Sequence, residues 1–162
     1  MAEFKTNAVR ILQAKKVPFE AHSYAADENI DGISVAKKIG LPYDRVYKTL
    51  VTKGKSGNYF VFVIRVDGEL DLKKAAKSVG EKSVEMIHVK DINKITGYIR
   101  GGCSPVGMKK QFETVIDKQA ETLESFAVSA GKIGYQIEIN PCVLAEVIGA
   151  KFEDILLPDR IE

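Results

Sequence analysis

The sequence is poor in the residues from which metal centres and disulfide frameworks are built. Its 162 residues include two cysteines, two histidines and no tryptophan. Cys103 and Cys142 are far apart along the chain, so a zinc site would need both of them to meet His22 and His88. We therefore expect no metal ion and no organic cofactor, two reduced thiols, and a buried position for Cys142.

Long apolar segments are absent as well. The longest, Tyr59–Ile64, is far too short to span a bilayer and is followed by Arg65. Residues 1–10 contain three charged side chains and lack the apolar block that a secretory signal peptide needs. We therefore expect a cytoplasmic protein that makes no contact with a membrane.

Charge of one sign is not in large excess. The chain has 24 Lys and Arg against 22 Asp and Glu, and the formal charge of +2 is too small for a general nucleic-acid binder. Many lysines nevertheless lie in the middle of the chain, where a solvated surface and a patch for a phosphate backbone both explain them. These are Lys53, Lys55, Lys73, Lys74, Lys77, Lys82, Lys109 and Lys110.

What the sequence does contain is typical of one globular domain, which we expect to span residues 1–162. Apolar residues make up 45% and charged residues 28% of the chain. Short strands and helices alternate irregularly, which predicts an α+β fold with a mixed, curled sheet. The predicted helices are 6–16, 33–39, 72–79, 91–96 and 141–148, and the predicted strands are 19–24, 46–52, 59–66, 84–89, 112–117, 125–129, 135–139 and 152–157.

Lys48 stands out because it lies inside one of the predicted strands. Strand alternation places its side chain on the same face as Val46 and Leu50. If that face is the core, the lysine needs an anion, carbonyl oxygens or a route to water, since a bare buried ammonium costs several kcal/mol. The alternatives are that Lys48 extends into solvent at a sheet edge or pairs with a carboxylate.

The stretch Gly97–Gly107 contains five Gly or Pro residues and predicts a short strand leading into a shaped loop. Such a loop can present backbone N–H groups to an anion or to a carbonyl oxygen, although an ordinary turn explains the same residues. Cys103 and Ser104 follow the glycine pair Gly101-Gly102, but a nucleophile would need a nearby base. A small apolar filler is the better interpretation of Cys103.

Between Ala8 and Ile155 the chain resembles the YbaK/EbsC family of free-standing aminoacyl-tRNA deacylases, which is related to the editing domain inserted in bacterial prolyl-tRNA synthetases. The resemblance rests on the order and spacing of several short blocks. They are Val46-Tyr47-Lys48-Thr49-Leu50, Leu70-Asp71-Leu72-Lys73-Lys74-Ala75-Ala76-Lys77, Thr96-Gly97-Tyr98, Gly101-Gly102 with Ser104-Pro105 and Gly107-x-Lys109-Lys110, and Val128-Ser129 with Gly131-Lys132 and Gly134.

This resemblance implies an irregular mixed or antiparallel β-barrel surrounded by short helices. It also implies hydrolysis of Cys mischarged onto proline tRNA, assisted by the thiol of the substrate, with prolyl-tRNA synthetase as a possible partner. Lys48 would position the 3′-terminal adenosine, and the backbone of Gly101 and Gly102 would hold the aminoacyl group. The residues that match pocket positions of the family are Tyr24, Thr49, Tyr98, Ser129 and Gly131.

The chain departs from the family pattern at several of these positions, which leaves the accepted amino acid open between Cys, Ala and Ser. Pockets for small side chains discriminate by only about 1–3 kcal/mol per methylene. A module that binds tRNA ends or a regulatory protein without catalysis is the alternative function. The departures are Asp31 for the usual aromatic residue before Gly32, Cys103 for an aliphatic residue, Ala130 for glycine, Ile133 for arginine, and Gln136 for the acidic residue of some relatives.

Overall fold

A computed structural model describes residues 5–158 as one α+β domain with five α-helices and eight strands. The helices are α1 (Asn7–Ala14), α2 (Gly32–Ile39), α3 (Leu72–Ser78), α4 (Ile92–Thr96) and α5 (Pro141–Ile148). The strands are β1 (Glu20–Ser23), β2 (Tyr47–Gly54), β3 (Tyr59–Arg65), β4 (Val84–Met86), β5 (Glu113–Asp117), β6 (Phe126–Ser129), β7 (Tyr135–Ile139) and β8 (Lys151–Glu153). Short 3-10 turns cover Tyr43–Arg45, Val89–Asp91 and Lys118–Thr122.

The strands form two sheets. One has three antiparallel strands in the order β1-β7-β6, and the other has five strands in the order β4-β2-β3-β5-β8. The larger sheet is mixed, because β3 pairs in parallel with β5, and β5 in parallel with β8. A single parallel bridge, Val46 to Ala127, joins the two sheets. Residues 5–158 thus confirm the mixed α+β class but show no closed ring of strands, so the barrel stays a prediction.

The helices begin and end within two residues of the predicted limits. At the start of α1, α2, α3 and α5, the preceding Thr6, Asp31, Asp71 or Asn140 accepts a hydrogen bond from a backbone N–H of the first turn. The left-handed backbone at Gly40 and Gly149 then ends α2 and α5. No helix in the described range is long and apolar enough to cross a membrane.

Four apolar clusters lie in the described part of the chain, and the two largest join most of the sheets and helices. The first joins α1 and α5 to both sheets and includes the aromatic pair Tyr47 and Phe126, whose ring centroids lie 5.0 Å apart. The second packs α3 against the larger sheet around Phe62 and Ile64. Tyr47 precedes Lys48 in the sequence, and Ile64 lies opposite Lys48 on the neighbouring strand. Because both of these residues are packed in the core, the backbone position of Lys48 is fixed.

Four predictions from the sequence are wrong. The predicted strand 84–89 ends at Met86, and a 3-10 turn begins at Val89. Residues 98–100 form part of a loop rather than a strand, since Gly97 has a left-handed backbone and Gly102 closes a turn onto Ile99. The last strand is Lys151–Glu153, so it shares only residues 152 and 153 with the predicted range 152–157. Cys142 is exposed, because the buried face of α5 is occupied by Leu144 and its neighbours.

Candidate active site

A cavity of about 670 Å³ lies where the two sheets meet. Its walls come from the start of β2, from α2 and the loop before it, from residues 100–103, and from the facing ends of β6 and β7. Volumes of roughly 300–1,000 Å³ are typical of small-molecule sites. The lining residues are Glu28, Ile30, Asp31, Gly32, Ile33, Val35, Val46, Tyr47, Lys48, Thr49, Leu50, Val66, Arg100, Gly101, Cys103, Ser129 and Gln136.

Lys48 enters this cavity from β2, and its side chain is partly buried. No carboxylate in the described part of the chain lies within ion-pair distance of its ammonium. Burial lowers the pKa of Lys48, and the more distant charges of Glu69 and Asp67 oppose that shift. The lysine therefore points into a cavity, and its charge is available to an anionic ligand.

The glycine pair reaches the same cavity through Gly101, but its two residues differ in backbone geometry. Gly101 has a φ of +84°, and a Cβ there would lie 2.8 Å from Cδ1 of Ile30. A Cβ on Gly102 would lie 3.0 Å from the backbone nitrogen of Ile133. Gly101 is therefore favoured by its backbone conformation, since the end of the Ile30 side chain can move, whereas Gly102 is favoured by close packing against the backbone of residues 132 and 133.

The two glycine amides also differ in their hydrogen bonds. The Gly102 N–H donates to the Ile99 carbonyl at 2.9 Å and is thus used within the turn. The Gly101 N–H has no acceptor among residues 5–158. Of the predicted pair, Gly101 is therefore the one whose amide is available to a ligand.

Tyr98 and Gly131, which the resemblance implies as pocket residues, lie behind the loop and do not line the cavity. The Tyr98 hydroxyl donates to the Val106 carbonyl at 2.6 Å, and the ring is buried in the core. Gly131 has a φ of +100°, and a Cβ there would lie 2.8 Å from Cε1 of Tyr98. The structure gives both residues a supporting place beneath residues 101–106.

Several buried polar atoms at the cavity lack a partner. Thr49 Oγ1 and Gln136 Oε1 are buried and make no hydrogen bond with the described residues. The Ser129 hydroxyl accepts a hydrogen bond from the Gly131 N–H at 3.1 Å. The Tyr24 hydroxyl is also buried without a partner in the described part of the chain, but Tyr24 does not line the cavity. Since unpaired buried polar groups are costly, these atoms indicate a site that receives polar ligand atoms.

Comparison with known proteins assigns this arrangement to a family. Residues 27–147 match the family model described as the aminoacyl-tRNA editing domain. The chain belongs to the aminoacyl-tRNA editing domain family. The match spans β1–α2 loop residues, β2, the loop containing Gly101, and Gln136, so it includes every wall of the cavity.

Relatives of this editing domain include both free-standing proteins and parts of larger enzymes. It is 45% identical over 152 residues to the Enterococcus faecalis protein named "Putative Cys-tRNA(Pro)/Cys-tRNA(Cys) deacylase EbsC", covering 93% of each chain. It is 30% identical over 98 residues to the proline–tRNA ligase of Trichlorobacter lovleyi, covering 60% of this chain and 17% of the ligase. A crystal structure described as "a putative trans-editing enzyme for prolyl tRNA synthetase" superposes with a TM-score of 0.81 at 21% identity, covering 96% of this chain and 100% of that one.

Sequence reasoning missed two charged residues of the editing-domain cavity. Arg100 directly precedes Gly101 and is exposed, and Glu28 belongs to the polar loop between β1 and α2. The position of Arg100 next to the glycine pair was an available signal. No sequence signal identified Glu28, because its position at the cavity depends on the path of the loop between β1 and α2.

Cys103 lines the cavity but is unsuited to be a nucleophile. Burial raises the pKa of its thiol from 9.0 to about 11, although a hydrogen bond with Thr96 acts in the opposite direction. The reactive form of cysteine is the thiolate, which this environment disfavours at neutral pH. The interpretation of Cys103 as a filler of the loop agrees with this chemistry.

One group of side chains in the described residues has donor atoms close enough to hold a metal ion, and it lies outside the cavity lining. It consists of Glu20, His22 and Glu138, whose ligand atoms lie within 4.8 Å of one another. Glu138 already accepts hydrogen bonds from Arg45 at 2.8 Å and Ser125 at 2.6 Å. These contacts and the 2.8 Å contact to His22 account for the group as an ion-pair network between the strands of the smaller sheet and the turn before β2.

The contact between Gly131 and Tyr98 yields a stability prediction. Gly131→Ala should destabilise the fold by about 1–2 kcal/mol for the positive φ, and by a further 1–3 kcal/mol for the clash with the Tyr98 ring. Gly57→Ala is the matched control, since Gly57 has a φ of +95° and no atom within 4 Å of the position that a Cβ would take. Urea unfolding measures both, and equal losses would mean that the Tyr98 contact is unimportant.

The raised pKa of Cys103 predicts a loss of stability in alkali. Because the folded state holds the thiol proton more tightly than the unfolded state, this contribution is fully present below about pH 9 and falls as the pH rises toward 11. Two pKa units correspond to at most about 3 kcal/mol. Urea unfolding of Cys103→Ala between pH 8 and 11 should give a shallower decline than the parent protein, whereas Cys142→Ala at the exposed thiol should follow the parent. Identical declines in all three proteins would contradict the shift.

Proposed function

We propose that this editing domain hydrolyses the ester bond of mischarged aminoacyl-tRNA in trans, with Cys-tRNA(Pro) as the preferred substrate. The observation that carries the proposal is that one cavity is lined both by Lys48, whose ammonium forms no ion pair with residues 5–158, and by Gly101, whose N–H has no acceptor among them. The 45% identity to a protein named as a Cys-tRNA(Pro)/Cys-tRNA(Cys) deacylase supports the choice of substrate.

In this proposal Lys48 attracts the anionic 3′ end of the tRNA and positions its terminal adenosine. The Gly101 amide donates to the ester carbonyl oxygen, which becomes an oxyanion during attack. Thr49 and Ser129 contact the aminoacyl group through their hydroxyls, while Gly102, Tyr98 and Gly131 support the loop. The predicted contact of Tyr24 with substrate stays a prediction.

An aminoacyl ester is already activated, so precise placement and a stabilised oxyanion are sufficient without a protein nucleophile. Attack on the carbonyl breaks the bond to the ribose oxygen, and the ribose leaves as a free hydroxyl that takes up the proton. The thiol of a cysteinyl substrate can itself be the attacking group, as the family resemblance implies. Its sulfur then forms a thiolactone as the ester C–O bond breaks and its proton goes to the ribose oxygen, and water opens the thiolactone to free cysteine. Attack by the substrate thiol needs no nucleophile from the protein, which agrees with a cavity whose own thiol, Cys103, stays protonated.

Selection of the proline tRNA is proposed to depend on a partner. The formal charge of +2 offers little general attraction for nucleic acid. Similarity to part of proline–tRNA ligases supports the same substrate class, and we propose prolyl-tRNA synthetase as the partner and the cytoplasm as the location.

The first test is removal of the Lys48 charge. Lys48→Met should lower the deacylation rate by about a hundredfold or more, a loss typical of removing one transition-state contact. The fold should keep its stability or gain some, since a desolvated ammonium has been removed. Lys53→Met is the matched control, because Lys53 lies on the same strand and is exposed. Unchanged turnover of Lys48→Met would remove Lys48 from the mechanism.

The second test compares Cys-, Ala- and Ser-charged proline tRNA with one enzyme preparation. The cysteinyl ester should be released fastest, because only its side chain supplies a thiol nucleophile. The margin over the other two should exceed the roughly 10–200-fold that pocket size alone provides. Faster release of Ala or Ser would shift the assigned substrate, and retention of tRNA with no release of amino acid would instead indicate a binding module.

A further inference from the structure

The cavity contains acidic side chains that the proposed chemistry at Lys48 and Gly101 does not use. Glu28 and Asp31 both line it, and both belong to the loop that connects β1 to α2. The two oxygens of Asp31 accept hydrogen bonds from the backbone and hydroxyl of Ser34 at 2.9 and 2.8 Å. Glu28 is exposed and makes no hydrogen bond or ion pair with residues 5–158. Glu28 is therefore the carboxylate that is free to bind a ligand.

Gln136 provides an independent indication that this cavity receives a hydrogen-bond donor. Its side chain lines the cavity, the residue is only 6% exposed, and its buried Oε1 accepts no hydrogen bond from the described residues. Gln136 lies on β7, the central strand of the smaller sheet, paired with His22 on one side and Ser129 on the other. An unsatisfied buried acceptor is unfavourable, and a donor on the ligand would satisfy it.

The charged groups of the cavity do not neutralise one another. Neither Lys48 nor Arg100 forms an ion pair with Glu28 or Asp31. The carboxylates that influence the pKa of Lys48 are Glu69 and Asp67, which do not line the cavity. Groups of both signs thus stay available to a ligand that itself carries both signs.

We propose that Glu28 and Gln136 bind the α-ammonium group of the aminoacyl moiety, and that Asp31 adds negative potential beside them. This inference rests on the proposed function, since an aminoacyl-tRNA end has a phosphate at one end and an α-ammonium at the other. The ammonium donates to Gln136 Oε1 and to the Glu28 carboxylate, while Lys48 holds the nucleotide. The site thereby selects esters with an unmodified α-amine and fixes which face of the carbonyl meets the Gly101 amide.

Binding of two non-hydrolysable analogues tests this without relying on turnover. The first is 3′-cysteinylamido-3′-deoxyadenosine, and the second has a hydroxyl in place of its α-ammonium group. Calorimetry at pH 6.5, where the amine is protonated, should show the ammonium analogue binding at least about tenfold more tightly, as expected for a hydrogen bond to a charged group.

Variants then assign the effect to residues. Glu28→Gln should weaken binding of the ammonium analogue by about threefold, a typical value for an exposed ion pair, and should leave the hydroxyl analogue unchanged. Gln136→Leu should weaken both analogues, since both carry a donor, with the larger loss of about tenfold or more for the ammonium analogue. Glu146→Gln, an exposed carboxylate on α5, is the matched control and should change neither affinity.

Equal affinity of the parent protein for the two analogues would overturn this proposal, as would equal losses for both in Glu28→Gln or no detectable binding of either. Failure of the proposed function gives a different result. In that case the ammonium analogue still binds preferentially, but charged tRNA releases no amino acid. The exposed position of Glu28 makes its variant informative even if Gln136→Leu fails to fold.

Discussion

The desolvated ammonium of Lys48 is the constraint around which the cavity is arranged. β2 brings it inward between Val46 and Leu50, both of which line the cavity with it. Burial lowers its pKa, and Glu69 and Asp67 offset only part of that shift from outside the cavity. A partly buried charge without an ion pair is unfavourable in the free protein, and this cost is relieved when an anionic group binds.

Gly101 lines the same cavity as Lys48, in a loop that contains two adjacent glycines. Gly101 and Gly102 allow the loop to approach Ile30 and the 132–133 turn more closely than a Cβ would permit. Tyr98 supports the loop from behind through its hydrogen bond to Val106. The consequence is a free amide at Gly101 held in a fixed position, and a fixed donor needs little reorganisation when charge develops on a carbonyl oxygen.

The cavity is chemically uneven, which suits a ligand with chemically different ends. Lys48 and Arg100 are basic, Glu28 and Asp31 are acidic, and Thr49 and Gln136 supply buried polar atoms without partners among the described residues. An aminoacyl ester of a nucleotide likewise has an anionic phosphate at one end, polar ester and ribose groups in the middle and a cationic α-ammonium at the other end. The low net charge of the chain fits this local recognition, because affinity concentrated at the terminal nucleotide does not require a broad basic surface.

Local sequence predicted the β2–β3 hairpin and the helix limits to within two residues, because caps, turn residues and alternation act over a few neighbouring positions. Alternation placed Lys48 on the face of Val46 and Leu50, but only the structure showed that this face lines the cavity. Local sequence also identified the preference for glycine at 101 and 102. The family resemblance supplied the chemistry and the pairing of Lys48 with that loop. Local patterns gave correct predictions where the signal spans a few neighbouring residues, and the resemblance did so where the residues are shared with relatives.

Tertiary structure alone decided which predicted residues face the cavity and which stand behind it. Thr49 and Ser129 line it, whereas Tyr98 and Gly131 support the loop, and Glu28 reaches it only through the path of the β1–α2 connection. The exposure of Cys142 and the free state of the Gly101 amide have the same origin. Each depends on contacts between segments distant in sequence, so no local pattern of residues could specify it.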